Sequence, residues 1–110
     1  MARDKALQKK LATKMAEIAP KLKVCGHPVR LGILCTIERD ESCVTELWQC
    51  LEDSQPVVSQ HLAVLKKNGI VKARADGNRR LYSIIDPFVH RLVRQLVADC
   101  QTRTGGSNSG

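Results

Sequence analysis

Two segments, one near each end of the chain, carry apolar residues at helical spacing. The first has them at Leu7, Leu11, Met15, Ile18 and Leu22, and the second at Val89, Leu92, Val93, Leu96, Val97 and Cys100. Steps of three and four residues place these side chains on one face of a helix. Pro20 predicts a kink or break late in the first helix, because proline removes a backbone donor. Asp86-Pro87 predicts the start of the last helix.

Three further helices are predicted between these segments. The first follows the break at Gly26-His27-Pro28 and has Leu31, Leu34, Cys35 and Glu38 on one face. Ser42 is placed to cap a short second helix, whose inward residues are Val44, Leu47 and Leu51. Ser54 is placed to cap the third, with a buried stripe at Val58, Leu62 and Leu65. Asn68-Gly69 predicts its end, since glycine readily adopts the left-handed conformation that terminates helices.

A β-hairpin is predicted after these helices. Residues 70–74 form one strand, Asp76-Gly77-Asn78 the turn, and residues 80–84 the returning strand. The predicted fold is therefore mainly α with a β-hairpin wing, in the order α-α-α-α-β-β-α. Two short helices joined by a tight turn and followed by a hairpin define a winged helix-turn-helix. We assign residues 1–103 to this domain and residues 104–110, rich in glycine and serine, to a disordered tail.

Charge is distributed in blocks along the chain. The 110 residues include 18 basic and 11 acidic side chains, a net charge of +7. Residues 1–23 hold seven basic and two acidic residues, and residues 55–85 hold six basic and one acidic. The intervening residues 24–54 are acidic, with two basic and six acidic residues. The basic block at residues 55–85 suits the phosphate backbone of a nucleic acid, and the basic block at residues 1–23 is a candidate auxiliary contact.

Other features of the composition narrow the function. Trp48, Tyr82 and Phe88 are too few for a surface that stacks single-stranded bases. Five cysteines, an odd number without a C-x-x-C pair, argue against a disulfide framework or a structural zinc site. No apolar run is long enough for a membrane span, so no membrane partner and a cytoplasmic location are expected. The chain contains no nucleotide-binding loop or hydrolase motif, so it is not expected to be an enzyme.

Two stretches resemble the ArsR/SmtB family of bacterial repressors. SQPVVSQHLAVLKKNGIVKARADGNRRLYSI, residues 54–84, is similar to the family's recognition helix and wing, and GHPVRLGIL, residues 26–34, to its second helix. The resemblance implies a homodimeric repressor that binds a palindromic operator in double-stranded DNA. It places the first and last helices, whose apolar stripes lack another covering, at the dimer interface. A winged helix used only for protein interaction is the alternative.

The same resemblance assigns DNA contacts. A helix in the major groove presents short polar groups to base edges, and the outward positions predicted here are Gln55, Val57, Ser59, Gln60 and His61. Lys66 and Lys67 are expected to meet phosphates or solvent. Arg79 and Arg80 lie at the predicted wing tip, where arginine enters a minor groove or binds the backbone.

Family repressors release DNA when an inducer binds cysteine, histidine or carboxylate side chains. One family site resembles ELCVCDLC, and the matching stretch here, ESCVTELW, keeps only Cys43 of its thiols. Of the family's zinc site on the last helix, Asp86 and His90 remain. Neither set is complete, so the resemblance implies no resident metal or cofactor.

A third inducer site of the family matches this sequence better than the two incomplete sites above. Cys35 follows RLGIL and Cys100 ends the last helix, which resembles the family branch whose paired thiols sense reactive sulfur species or oxidants. That branch implies that Cys35 and Cys100 of one subunit become linked and DNA is released. The alternative for both thiols is burial as small hydrophobic residues. The extra cysteines keep a second inducer open, arsenite or another thiophilic ion bound by Cys43 and Cys50 or by a set that includes Cys25 and Cys35.

Overall fold

The computed structural model describes residues 4–39 and 55–104. Within them lie four helices and one two-stranded antiparallel sheet: α1 (Lys5–Cys25), α2 (Pro28–Arg39), α3 (Gln55–Lys67), β1 (Val71–Asp76), β2 (Arg79–Ile84) and α4 (Pro87–Thr104). The short helix expected near residues 42–51, the caps Ser42 and Ser54, and residues 105–110 of the expected tail lie outside the described residues. Helix α4 includes Thr104, one residue beyond the expected domain limit.

Helix α1 is longer than Pro20 would suggest. It begins at its cap Asp4, whose Oδ1 accepts the N–H of Leu7 at 3.0 Å, and runs through Pro20 to Cys25. The chain therefore does not break at Pro20. Contacts after the proline hold the helix together, because Cys25 is buried in the core and Lys21 pairs with Asp86. Such packing offsets the roughly 3 kcal/mol that an internal proline costs.

Helix α2 is the centre of the fold. It contacts α1, α3, α4 and β2. Its buried residues are Ile33, Leu34 and Ile37. Of the face predicted from sequence, Leu34 is buried, whereas Leu31, Cys35 and Glu38 are half-buried. Both α3 and α4 pack on α2, so this helix lies between them.

Helix α3 packs by the predicted stripe, Val58, Leu62 and Leu65, each at most 2% exposed. The helix ends as expected at Gly69, which has a φ of 72°. The N–H of Gly69 donates to Lys66 O and that of Ile70 to Leu65 O, both at 3.0 Å. This pair of hydrogen bonds satisfies carbonyls that the helix end leaves exposed.

The hairpin joins α3 to α4. Strands β1 and β2 pair from Val71 with Ile84 to Asp76 with Arg79. The two-residue turn between them starts at Gly77, whose φ of 65° requires a residue without a Cβ clash. Helix α4 then begins as predicted, with Asp86 Oδ1 accepting the N–H of Val89 at 3.0 Å.

Candidate nucleic-acid interface and thiol pocket

The exposed side of α3 carries short polar residues. Ser59 and Gln60 are exposed, Val57 is half-buried, and Gln55 is the first residue of the helix. Lys66 is exposed in the last turn, beside Lys67. The buried stripe opposite Ser59, Gln60 and Lys66 holds the helix on α2, so these three side chains lie on its outer surface.

His61 has a different environment from the one predicted. It is half-buried, and its Nδ1 accepts a hydrogen bond from Arg30 Nε at 3.1 Å. Its ring centroid lies 4.5 Å from that of His27. Arg30 also donates from Nη1 to Val24 O at 3.0 Å, so it ties the end of α1 to α3. Sequence reasoning missed this cluster because its members come from separate segments that only the tertiary fold brings together.

The wing has two faces with different residues. Strand register places Arg79 on one face with Arg74 and Lys72, and Arg80 on the opposite face with Tyr82. Arg79 and Arg80 are both exposed, as are Arg74 and Lys72. Arg74 and Lys72 were not singled out from the sequence, although the alternation along the strand could have indicated them. The Arg79 face is thus the more basic of the two.

Cys35 and Cys100 line one pocket between the C-terminal parts of α2 and α4. The pocket has a volume of about 420 Å³, and its walls include Arg39 from α2 and Leu96, Val97 and Asp99 from α4. Cys35 is half-buried and Cys100 is exposed. Burial raises the pKa of the Cys35 thiol, and the nearby Cys100 and Glu38 raise it further.

The other cysteines are placed differently. Cys25 is 2% exposed at the end of α1. Burial raises its pKa, with a further contribution from the charge of Asp86 and a smaller opposite effect of Arg30. It is therefore a poor nucleophile. Cys43 and Cys50, the candidate ligands for a thiophilic ion, lie outside the described residues.

Asp86 and His90 both take part in helix-to-helix contacts. Asp86 is 8% exposed and binds Lys21 of α1, besides capping α4. Burial alone would raise the pKa of Asp86, but the hydrogen bonds from Lys21 and Val89 outweigh it and the pKa falls below its ordinary value. His90 Nε2 lies 2.9 Å from Glu38 Oε1 on α2. Within residues 4–39 and 55–104, no three histidine, cysteine or acidic side chains are grouped to hold a metal ion.

The helices in these two ranges also include none that is both long and apolar enough to span a membrane.

A polar helix exposed on a helical core and followed by a basic hairpin is the arrangement of a winged helix-turn-helix protein. Residues 27–73 match the family model described as bacterial regulatory protein, arsR family. The biofilm growth-associated repressor of Xylella fastidiosa is 39% identical over 80 residues, which cover 73% of this chain and 70% of that protein.

Solved structures agree with this match. The transcriptional repressor BigR from Xylella fastidiosa has a TM-score of 0.79 and 31% identity, covering 91% of this chain and 99% of that one. A domain from Mycobacterium bovis, described as a homodimeric winged helix-turn-helix DNA-binding domain, has a TM-score of 0.63 and 27% identity, covering 97% and 96%. The chain therefore belongs to the ArsR family of winged helix-turn-helix transcriptional repressors, and the predicted fold class is confirmed.

Proposed function

We propose that this chain is a homodimeric repressor that binds a palindromic operator in double-stranded DNA and releases it when Cys35 and Cys100 react. The surface that would read bases is the exposed side of α3, with Ser59 and Gln60 at its centre. Glutamine and serine bond base edges in the major groove. Gln55 and Val57 belong to the same surface, and His61 supports it through Arg30.

The basic groups around α3 supply the binding energy that does not depend on sequence. Lys66 follows the polar residues along the helix, and Arg79 and Arg80 extend from the wing tip. Lysine and arginine that neutralise phosphates make the affinity fall steeply as salt is added. This salt dependence separates DNA binding from a winged helix that only binds protein.

The dimer is supported by apolar side chains that the single chain leaves uncovered. On α1, Leu7, Leu11 and Met15 are 49%, 48% and 60% exposed, and on α4 Leu96 is 36% exposed. Apolar residues clustered at helical spacing on a surface mark an interface. A two-fold dimer through α1 and α4 presents two copies of α3 to half-sites about 34 Å apart.

The assignment of the inducer depends on one observation: Cys35 and Cys100, 65 positions apart in the sequence, line the same pocket. A persulfide or polysulfide oxidises the two thiols to a sulfur bridge, and its sulfane sulfur is reduced to sulfide. The bridge ties α2, which carries α3, to α4 at the proposed dimer seam. The chain thus joins the dithiol branch of its family in this proposal.

The experiment is DNA binding by fluorescence anisotropy at fixed salt, before and after polysulfide, with mass spectrometry of the same samples. We expect the untreated chain to bind and the treated chain to release, with Cys35 and Cys100 linked in one subunit. Cys35→Ser and Cys100→Ser should bind DNA without responding. Cys25→Ser is the matched control, because its thiol is buried, and it should respond normally.

A normal release by both Cys35→Ser and Cys100→Ser would overturn the dithiol proposal. Arsenite treatment of the same variants, together with Cys43→Ser, then tests the alternative inducer. If Cys43→Ser is the variant that fails to respond to arsenite, the thiophilic-ion interpretation replaces the dithiol proposal.

A further inference from the structure

We propose that the thiol pocket selects low-molecular-weight persulfides that carry an α-amino acid group, with Arg39 binding the carboxylate, Cys100 attacking first and Cys35 closing the bridge. The inference deepens the proposed function, on which it rests, by naming the substrate class and the order of the two thiols.

The order follows from where each sulfur lies. Cys100 is exposed on α4, whereas Cys35 is half-buried on α2, and both line the pocket. A persulfide that arrives from solvent therefore has easier access to Cys100 than to Cys35. The raised pKa of Cys35 acts in the same direction, because less of that thiol is ionised to attack an incoming molecule.

The chemistry balances with these roles. The Cys100 thiolate attacks the outer sulfur of RS–SH, the bond between the two persulfide sulfurs breaks, and RS⁻ leaves with its electron pair. Cys100 is now a persulfide, Sγ–SH. Cys35 releases its proton to solvent, its thiolate attacks Sγ of Cys100, and HS⁻ leaves. Two thiols have become a disulfide, and one sulfane sulfur has been reduced to sulfide.

The substrate class follows from the two charges in the pocket. Arg39 lies one helical turn after Cys35 and lines the same pocket, so its guanidinium and the two thiols border one space. Arginine is permanently charged and matches a carboxylate. Asp99, next to Cys100 in sequence, supplies the opposite charge and accepts a hydrogen bond from Gln95 Nε2 at 2.9 Å. The pocket walls thus carry one cation and one anion, which are complementary to the carboxylate and the ammonium of one small molecule.

The first test compares cysteine persulfide with cysteamine persulfide, which has the ammonium but lacks the carboxylate. The measured quantity is the rate of first sulfur transfer to the reduced chain, followed by mass spectrometry. We expect cysteine persulfide to react about three- to fivefold faster, as for one partly exposed ion pair. Arg39→Ala should abolish this preference and Arg39→Lys should keep part of it. Arg91→Ala, an exposed arginine of α4 away from the pocket walls, should leave it unchanged.

The second test assigns the order. With one equivalent of cysteine persulfide, Cys35→Ser should accumulate sulfur on Cys100, and Cys100→Ser should react at Cys35 at least about tenfold more slowly. Equal rates for the two variants would overturn the order. A preference that survives in Arg39→Ala, or that Arg91→Ala also removes, would overturn the role of Arg39.

Failure of the pocket inference and failure of the proposed function give different results in these experiments. If the chain forms the bridge with the expected preference but keeps its DNA, the pocket inference stands and the release mechanism is wrong. If persulfide releases DNA from Arg39→Ala with the preference intact, the release mechanism stands and the substrate class is wrong.

Discussion

A sulfur bridge between Cys35 and Cys100 should stabilise the folded chain while it weakens DNA binding. The bridge closes a loop of 65 residues. Restricting the unfolded chain by a loop of that length is worth about 4 kcal/mol in the chain-entropy model. With an unfolding entropy of roughly 2.1 cal/mol/K per residue, this corresponds to a rise in Tm of at most about 17 °C. Strain in the bridge would reduce this value.

We expect an effect of the opposite sign on DNA binding, on the proposal that the bridge changes how α2 lies on α4. Helix α3 is held on α2 by Val58, Leu62 and Leu65, so it follows that movement. A coupling of about 1–3 kcal/mol between the bridge and DNA would weaken operator binding by roughly 5- to 150-fold. A bridge that simply unfolded the protein would lower both quantities together.

The assay measures both quantities on one sample. Thermal unfolding by circular dichroism at fixed protein concentration gives Tm, fluorescence anisotropy gives the DNA affinity, and mass spectrometry gives the fraction bridged. We expect Tm to rise and the affinity to fall as that fraction increases, and neither to change in treated Cys35→Ser. A joint fall of Tm and affinity would mean that release is unfolding. Full bridging with unchanged affinity would refute any coupling.

Three further predictions concern DNA, assembly and pH. Gln60→Ala should cost about 1–3 kcal/mol on operator DNA, whereas Arg80→Ala should weaken operator and random DNA alike; an equal loss on both DNAs for Gln60→Ala would remove Gln60 from the surface that reads bases. Leu92→Asp should give a monomer or an aggregate without operator binding, because a charge at a dimer seam is unpaired; a well-folded dimer in sedimentation would place the interface elsewhere. The folded pKa of Asp86 is below its ordinary value, so its pairing with Lys21 stabilises the fold above about pH 4 and is lost on acidification below it. Tm of Asp86→Asn should therefore fall less steeply than that of the unchanged chain across this acidic range, and parallel curves would contradict the role of the pair.

The helices and the hairpin were predictable from sequence because local rules specify them. The period of Val58, Leu62 and Leu65, the glycines at 69 and 77, and the Asp86 cap each act within a few residues, and the structure contains all of them. The sequence predicted a kink or a break at Pro20, and the helix does not break there. Burial of Cys25 and the Lys21–Asp86 pair, which hold the helix beyond the proline, are tertiary effects. Sequence spacing contains no information about such distant partners.

The candidate sites also contain some features that the sequence predicts and others that only the tertiary structure shows. The polar side of α3 follows from its buried stripe, so Ser59 and Gln60 are exposed as expected, but the contact of His61 with Arg30 joins residues 31 positions apart. The pairing of Cys35 with Cys100 was available only through the family resemblance. The difference in their exposure, and the presence of Arg39 in their pocket, required the packing of α2 on α4.

Helix α2 contributes residues both to the contact with α3 and to the thiol pocket. Near its start, Arg30 is hydrogen-bonded to His61 of α3, and near its end Cys35 faces the pocket shared with α4. Five residues of helix separate these points, about 7.5 Å along a stiff rod. In a dimer with half-sites about 34 Å apart, a change of about 5° in the angle between the two subunits displaces one copy of α3 by about 3 Å relative to its half-site. Hydrogen bonds to bases require donor–acceptor distances of about 2.7–3.2 Å. If the bridge between α2 and α4 turns one subunit by a few degrees against the other, the base contacts of one half-site break while the core of each subunit stays packed.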